Sequence, residues 1–306
     1  MAGLLLLSAC SSASSSSAAP AAVALATGAS TAYPTQDVVA PITADSTLKA
    51  ELASADPGNN GTLTLGTSPF PGLTSMPHNG TLSDGTVIGA DVDLRNAVAK
   101  LLGISWNVQD GTFATIIPGV QNGKYQVGQD NFGVTTAREQ VVDFATYLTD
   151  GQSFLAPADS KLPAITKVTD LCGQTIGTTA GSTFQQILTK DAPQCAAAGK
   201  PAYTVDYYSD DSAIWLGLAN GRLDLYFGAT LNLKYDSTHV ANVKFLSQFS
   251  STNVGFVTAK GSPLAKVLSD AVNELITSGD YAKILDKWGI NGSGVQTSQV
   301  NPAANL

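Results

Sequence analysis

Val87-Ile88-Gly89-Ala90-Asp91-Val92-Asp93-Leu94-Arg95-Asn96-Ala97-Val98-Ala99-Lys100-Leu101-Leu102-Gly103 runs from a short apolar strand through a glycine into a helix. Leu94, Val98, Leu101 and Leu102 fall on one helical face, and Gly103 is the expected stop after the last turn. Upstream, Thr62 to Gly66 reads as a strand, followed by the loop Thr67-Ser68-Pro69-Phe70-Pro71-Gly72. Downstream, Ser105 to Val108 is a strand, Phe113 to Gln121 a short helix, and a stretch from Tyr125 to Val134 completes the set. The alternation restarts beyond Gly173, with strands at Gln174 to Thr178, Ala202 to Tyr207 and Leu223 to Phe227 enclosing helices at Ser182 to Leu188 and Ser212 to Asn220. Two successive sets of similar size predict an α/β protein of two lobes, each a mostly parallel sheet flanked by helices. Near the end, Ser262-Pro263 opens a helix bearing Leu264, Val267, Leu268, Ala271 and Leu275, and a second helix runs from Asp280 to Trp288.

Composition narrows the partners. With 306 residues, 43% of them hydrophobic and 13% charged, the chain can bury a sizeable core. A net charge of −8 gives no basic footprint for a phosphate backbone, so nucleic acid is not expected as a partner. No apolar run reaches the roughly 18 residues of a spanning helix. Two histidines and three cysteines, without CxxC or HExxH spacing, give no basis for a metal or other cofactor.

The N-terminus reads as an export segment. Leu4 to Leu7, then Ser8-Ala9-Cys10, resemble the lipobox of bacterial lipoproteins, which implies lipidation of Cys10 and a signal remnant at residues 1–9. No charge precedes Asp37, so the true start of the signal is expected upstream. Residues 10–55 are taken as the lipidated cysteine and a flexible Ser/Ala-rich tether. That places the body outside the cytoplasm, lipid-anchored to the outer face of the membrane. In that oxidising compartment Cys172 and Cys195 are expected to form a disulfide, with two separate buried thiols as the rival reading.

Four segments, in order between Thr62 and Ile290, carry a family resemblance: Val87 to Leu94, Phe113 to Lys124, Val134 to Arg138 with Val142-Asp143-Phe144, and Ser278 to Gly289. They resemble the amino-acid-type (family 3) solute-binding proteins of ABC importers. The resemblance implies a type II-like periplasmic-binding-protein clamshell whose first lobe comprises residues 56–153 and 255–292, its second 154–254, with a tail at 293–306. The chain would cross near residues 154–157 and 250–255, and the ligand would lie in the cleft.

Site residues follow from the same resemblance. Arg138 takes the place of a carboxylate-binding arginine; otherwise it is an exposed helix-opening residue paired with Glu139 or Asp143. Gly181-Ser182-Thr183 falls where a helix N-terminus supplies the second-lobe half of carboxylate binding, although simple capping needs the same residues. Phe70 and Phe113 take the positions of aromatic cleft walls or are ordinary core. Thr135 matches a hydroxyl flanking the arginine, while Gly133 replaces a common Ser or Thr and leaves only its backbone N–H.

The largest departure is Ala229, where relatives usually place an aspartate that pairs the ligand ammonium, five positions beyond Asp224. Asp224 itself is read as structural. Without that aspartate, three routes remain open: Asp210 or Asp211 reaches the cleft, carbonyls and the faces of Phe70 and Phe113 hold the cation, or the ligand carries no α-ammonium. The resulting expectation is a small carboxylated solute, with ordinary α-amino acids bound weakly or not at all. The functional expectation is a monomeric, non-enzymatic receptor that delivers its ligand to an ABC permease. An extracytoplasmic sensor of the same fold, or an enzyme derived from it, is the alternative; His78 and His239 show no triad spacing.

Overall fold

The computed structural model describes residues 33–304 and 306. The export segment and Cys10 lie outside the described residues. The chain opens with α1 (Ser46–Ala55), β1 (Thr62–Thr67), β2 (Gly72–Ser75), β3 (Asn79–Thr81), β4 (Val87–Ile88) and α2 (Ala90–Leu102). β5 (Ser105–Asp110), α3 (Phe113–Gln121), β6 (Val127–Gly133), α4 (Thr136–Glu139) and the long β7 (Val142–Pro157) follow. The second set is β8 (Thr175–Thr179), α5 (Thr183–Asp191), α6 (Pro193–Ala197), β9 (Thr204–Tyr208), α7 (Asp211–Ala219), β10 (Leu225–Ala229) and α8 (Thr230–His239). β11 (Val243–Ala259) returns to the first set, where α9 (Leu264–Ser278) and α10 (Asp280–Lys287) pack.

Eight strands are hydrogen-bonded in the order β5-β1-β6-β11-β7-β10-β8-β9. β1 pairs in parallel with β5 and β6, and β8 in parallel with β9 and β10. Between these parallel triplets β7 and β11 run antiparallel along nearly their whole length, so two strands serve both lobes. Leu63, Leu65, Leu94, Val98 and Leu102 form the first-lobe core with Leu268, Leu275 and Ile284 from the C-terminal helices. In the second lobe Phe154 stacks on Phe227, with ring centroids 4.2 Å apart, among Ile176, Leu188 and Leu225.

The chain crosses between lobes slightly earlier than expected. Leu148 packs in the first core and Phe154 in the second, so the passage is at residues 149–152, paired with 250–253 of β11. The apolar run Phe154-Leu155-Ala156, which marked the expected crossing, is second-lobe core.

A tether reaching residue 55 is corrected by α1. Asp45 caps the helix by accepting from Leu48 N at 2.8 Å, and Leu48 and Leu52, one turn apart, are buried in the first-lobe core with Val39 and Ile42. Polar and small residues surround these four apolar positions, which hides the helix in a composition count. The C-terminal tail also docks on this lobe, where Asn301 donates to Asp143 and accepts from Phe144 N, both at 2.8 Å. Cys172 and Cys195 are joined in a disulfide within the second lobe, Cα atoms 5.6 Å apart.

At the crossing sits a buried charge cluster. His78 Nε2 lies 3.0 Å from Asp150 Oδ2 and its Nδ1 3.3 Å from Asp91 Oδ1. Burial disfavours the imidazolium, but the two carboxylates outweigh it and raise the His78 pKa to about 10.

Two outcomes follow. Leu52→Ala lowers stability by about 2–5 kcal/mol in denaturant unfolding, a cost that a tether residue would not carry. Because His78 titrates higher folded than unfolded, its contribution is complete below about pH 6.5 and lost as pH rises towards 10. The stability gap between wild type and His78→Gln should therefore narrow over that window in unfolding curves taken at successive pH values.

Candidate functional site

The cleft between the lobes encloses about 390 Å³, bounded by Ser68, Phe70, Phe113, Asp130 and Arg138 on the first lobe and Ser182, Thr183, Asp211, Tyr226 and Ala229 on the second. β1 and β6 end at this cavity, which is where open α/β sheets present their loops to ligands.

Arg138 is placed by α4, a single turn capped by Thr135, whose Oγ1 accepts from Arg138 N at 3.2 Å. The side chain is 6% exposed and lies against Phe113 and Phe132, each ring centroid 5.5 Å from its Cζ. Its Nη1 donates to Gly133 O at 2.9 Å and its Nη2 to Gly181 O at 3.2 Å, so the guanidinium ties the lobes together. Arg138 pairs with neither Glu139 nor Asp143, the latter taking Lys260 at 2.8 Å. Arg138 forms no ion pair among the described residues, and burial lowers its pKa to about 10 while keeping it cationic at neutral pH.

The helix-terminus residues divide their work. Ser182 Oγ caps α5 by accepting from Gln185 N at 3.1 Å and donates to Thr179 O at 2.6 Å. Gly181 N donates to Gln185 Oε1 at 2.7 Å and is thus already engaged. Gly181 holds φ +76°, and a Cβ there would come within 3.0 Å of Ala114 across the cleft, so glycine is needed for the lobes to approach. Ser182 and Thr183 line the cavity; Gly181 acts through its carbonyl.

Phe70 and Phe113 both line the cavity and are half-buried, Phe113 tilted on Phe132 at 4.9 Å. Gly133 stands behind Arg138: a Cβ there would lie 2.9 Å from Thr252 Cγ2 and 3.4 Å from Thr183 Cγ2, so the space a Ser or Thr would need is filled. Thr135 and Gly133 support the arginine rather than line the cavity. Ala229 lines it with no polar side chain. Asp224, away from the cleft, accepts from Thr175 N at 2.8 Å.

Three carboxylates, those of Asp130, Asp210 and Asp211, line the same cavity. Asp211 accepts from Tyr226 OH at 2.8 Å and from Ser75 Oγ at 3.4 Å, a contact across the cleft, and desolvation raises its pKa to about 6. Asp210 is exposed and caps α7 through Ala213 N at 3.0 Å. Asp130, which the sequence reading missed, is 2% exposed, accepts from Ser68 Oγ, and is raised by burial to about 7. Its signal was available: an acid within the otherwise uncharged run Tyr125 to Val134, eight residues before Arg138. Neither Asp130 nor Asp211 has an ion-pair partner among the described residues.

This two-lobed α/β clamshell with a charged inter-lobe cleft has the architecture of periplasmic binding proteins. Residues 70–291 match the bacterial extracellular solute-binding proteins, family 3, and the chain belongs to that family. It is 28% identical over 247 residues to the arginine-binding protein ArgT of Corynebacterium glutamicum, covering 79% of this chain and 78% of that one. Among solved structures it resembles an ancestral arginine-binding protein bound to arginine, at 30% identity and TM-score 0.65, over 75% of this chain and 98% of that one. It also resembles the ancestral amino-acid-binding protein AncCDT-1, a precursor of cyclohexadienyl dehydratase, at 25% identity and TM-score 0.64, over 79% and 99% of the respective chains.

From the sequence alone, Arg138→Ala should leave the fold intact. With two carbonyls hydrogen-bonded to the guanidinium, the same change should also cost roughly 1–3 kcal/mol of stability. Arg138→Lys keeps the charge but cannot span both carbonyls, so in calorimetry it should bind a carboxylated ligand on the order of tenfold or more weakly than wild type.

Proposed function

We propose that this protein is the extracytoplasmic substrate-binding lipoprotein of an ABC importer, and that its cleft takes an amino acid with a cationic side chain. The observation that carries the reading is Arg138, a buried guanidinium that opens on the cleft without an ion-pair partner among the described residues. An uncompensated buried cation is costly, and a ligand carboxylate supplies both the countercharge and a planar match for the fork. Thr183, in the first turn of α5, adds a donor from the second lobe, where the helix dipole favours an anion.

The side chain of the ligand would lie between Phe70 and Phe113, whose faces suit alkyl groups and cations alike. Asp211 supports a cationic tip, since it is an acceptor-rich carboxylate with no resident cation. Names of relatives point the same way, several being arginine-binding proteins. The expectation of weak amino-acid binding rested on the missing aspartate at Ala229; Asp130, Asp210 and Asp211 along the cleft support the amino-acid reading instead. Closure would present a composite surface of the two lobes to a permease, the body acting as a non-enzymatic monomer held at the membrane through Cys10.

Calorimetry with L-arginine, L-lysine, L-ornithine and L-glutamine, beside agmatine as a cation without a carboxylate, tests the reading. Cationic amino acids should bind at least tenfold more tightly than L-glutamine, and agmatine should bind weakest. Agmatine binding as tightly as L-arginine, or no binding of any amino acid, would overturn it.

A further inference from the structure

We infer that Asp130, on the first lobe, holds the α-ammonium of the bound amino acid in place of a second-lobe aspartate at the position of Ala229. The inference rests on the amino-acid reading above and names a partner for a group that reading leaves unpaired. Ala229 brings no acceptor side chain to the cleft, and an ammonium removed from water needs a countercharge or several acceptors.

Three observations single out Asp130. First, its carboxylate lines the cavity at 2% exposure, accepts a hydrogen bond from Ser68, and has no ion-pair partner among the described residues. Second, the next residue, Asn131, also lines the cavity; its Nδ2 is committed to Asp150 at 2.9 Å, while its buried Oδ1 has no hydrogen-bond partner. Carboxylate and amide oxygen together match an ammonium, which donates in several directions and accepts nothing. Third, Asp130 is close enough to Arg138 to favour its charged form without forming an ion pair with it. In an α-amino acid the carboxylate and ammonium are borne on the same carbon, so their partners must be neighbours in the protein.

The other acids fit less well. Asp210 is exposed and spent as a helix cap. Asp211 hangs from Tyr226 and Ser75 and, unlike Asp130, is not among the charges that act on Arg138. It follows that the first lobe alone would grip both charged ends of the zwitterion, with the second lobe closing over a ligand already oriented.

Asp130→Asn tests this, since the amide retains an acceptor for Ser68 and removes the charge. The variant should melt at a higher temperature than wild type without ligand, because a buried carboxylate held in no ion pair is gone. It should also bind L-arginine on the order of tenfold to a hundredfold more weakly, as expected for loss of a charge-assisted contact. 5-Guanidinopentanoic acid, which is arginine without its α-ammonium, should bind wild type and variant equally. Unchanged arginine affinity, an equal loss for arginine and the analogue, or a variant that melts lower or fails to fold would overturn the assignment. A wild-type protein that binds no amino acid would instead overturn the proposed function, and the ligand-free melting comparison would still decide whether the Asp130 carboxylate is structural.

Discussion

The imidazolium of His78, enclosed between Asp91 and Asp150, is the constraint on which the cleft depends. An ion removed from water is tolerable only when its partners are fixed, and here each partner is fixed from several sides. Asp91 lies in the first turn of α2 and accepts from Tyr147 OH at 3.2 Å. Asp150, at the crossing itself, accepts from Asn131 on β6, from Gly151 N and from Leu231 N of α8. One carboxylate thus gathers an end of β6, the middle of β7 and the start of a helix that packs against both cores. Phe70 on the loop after β1, Asp130 on β6 and Arg138 on α4 are carried by or next to elements that this cluster holds in register.

Much of the fold was legible because it rests on local periodicity. The face of Leu94, Val98, Leu101 and Leu102 is buried as its spacing dictates, and the punctuation around α9 and α10 falls at Pro263, Gly279 and Gly289. The two long strands were not legible. β7 is buried on both faces for most of its length and therefore shows no alternation, while β11 draws its middle from Ser, Gln, Thr and Asn. Their identity as strands comes from pairing with each other between segments far apart in the sequence, from Val243 with Pro157 to Ala259 with Val142, which no window can register. α1 failed for the opposite reason, since two leucines on a short helix among small and polar residues look like more of the same tether.

Within the cleft, the sequence displayed what was missing more readily than what replaced it. Ala229 stood out because a resemblance supplied an expectation for that position. Asp130 had no such expectation attached, and a lone acid in a strand-like stretch reads as solvent-facing until its burial is seen. Gly133 is similar: its meaning lies in the methyl groups of Thr252 and Thr183, residues brought to it only by the folded chain. Long-range placement, not residue type, separates a site residue from a surface one.

Both described ends of the chain pack on the same lobe, the N-terminal segment through Val39, Ile42 and α1, and the C-terminal one along β7 as far as the bond from Thr136 N to Leu306 O. Neither described end packs on the second lobe, whose backbone connections to the first are the two crossing strands. A pull exerted through the N-terminal side is therefore borne by the first-lobe core, and none of that load passes through the hinge. Holding the protein at a surface by that side would leave the second lobe mechanically unbiased.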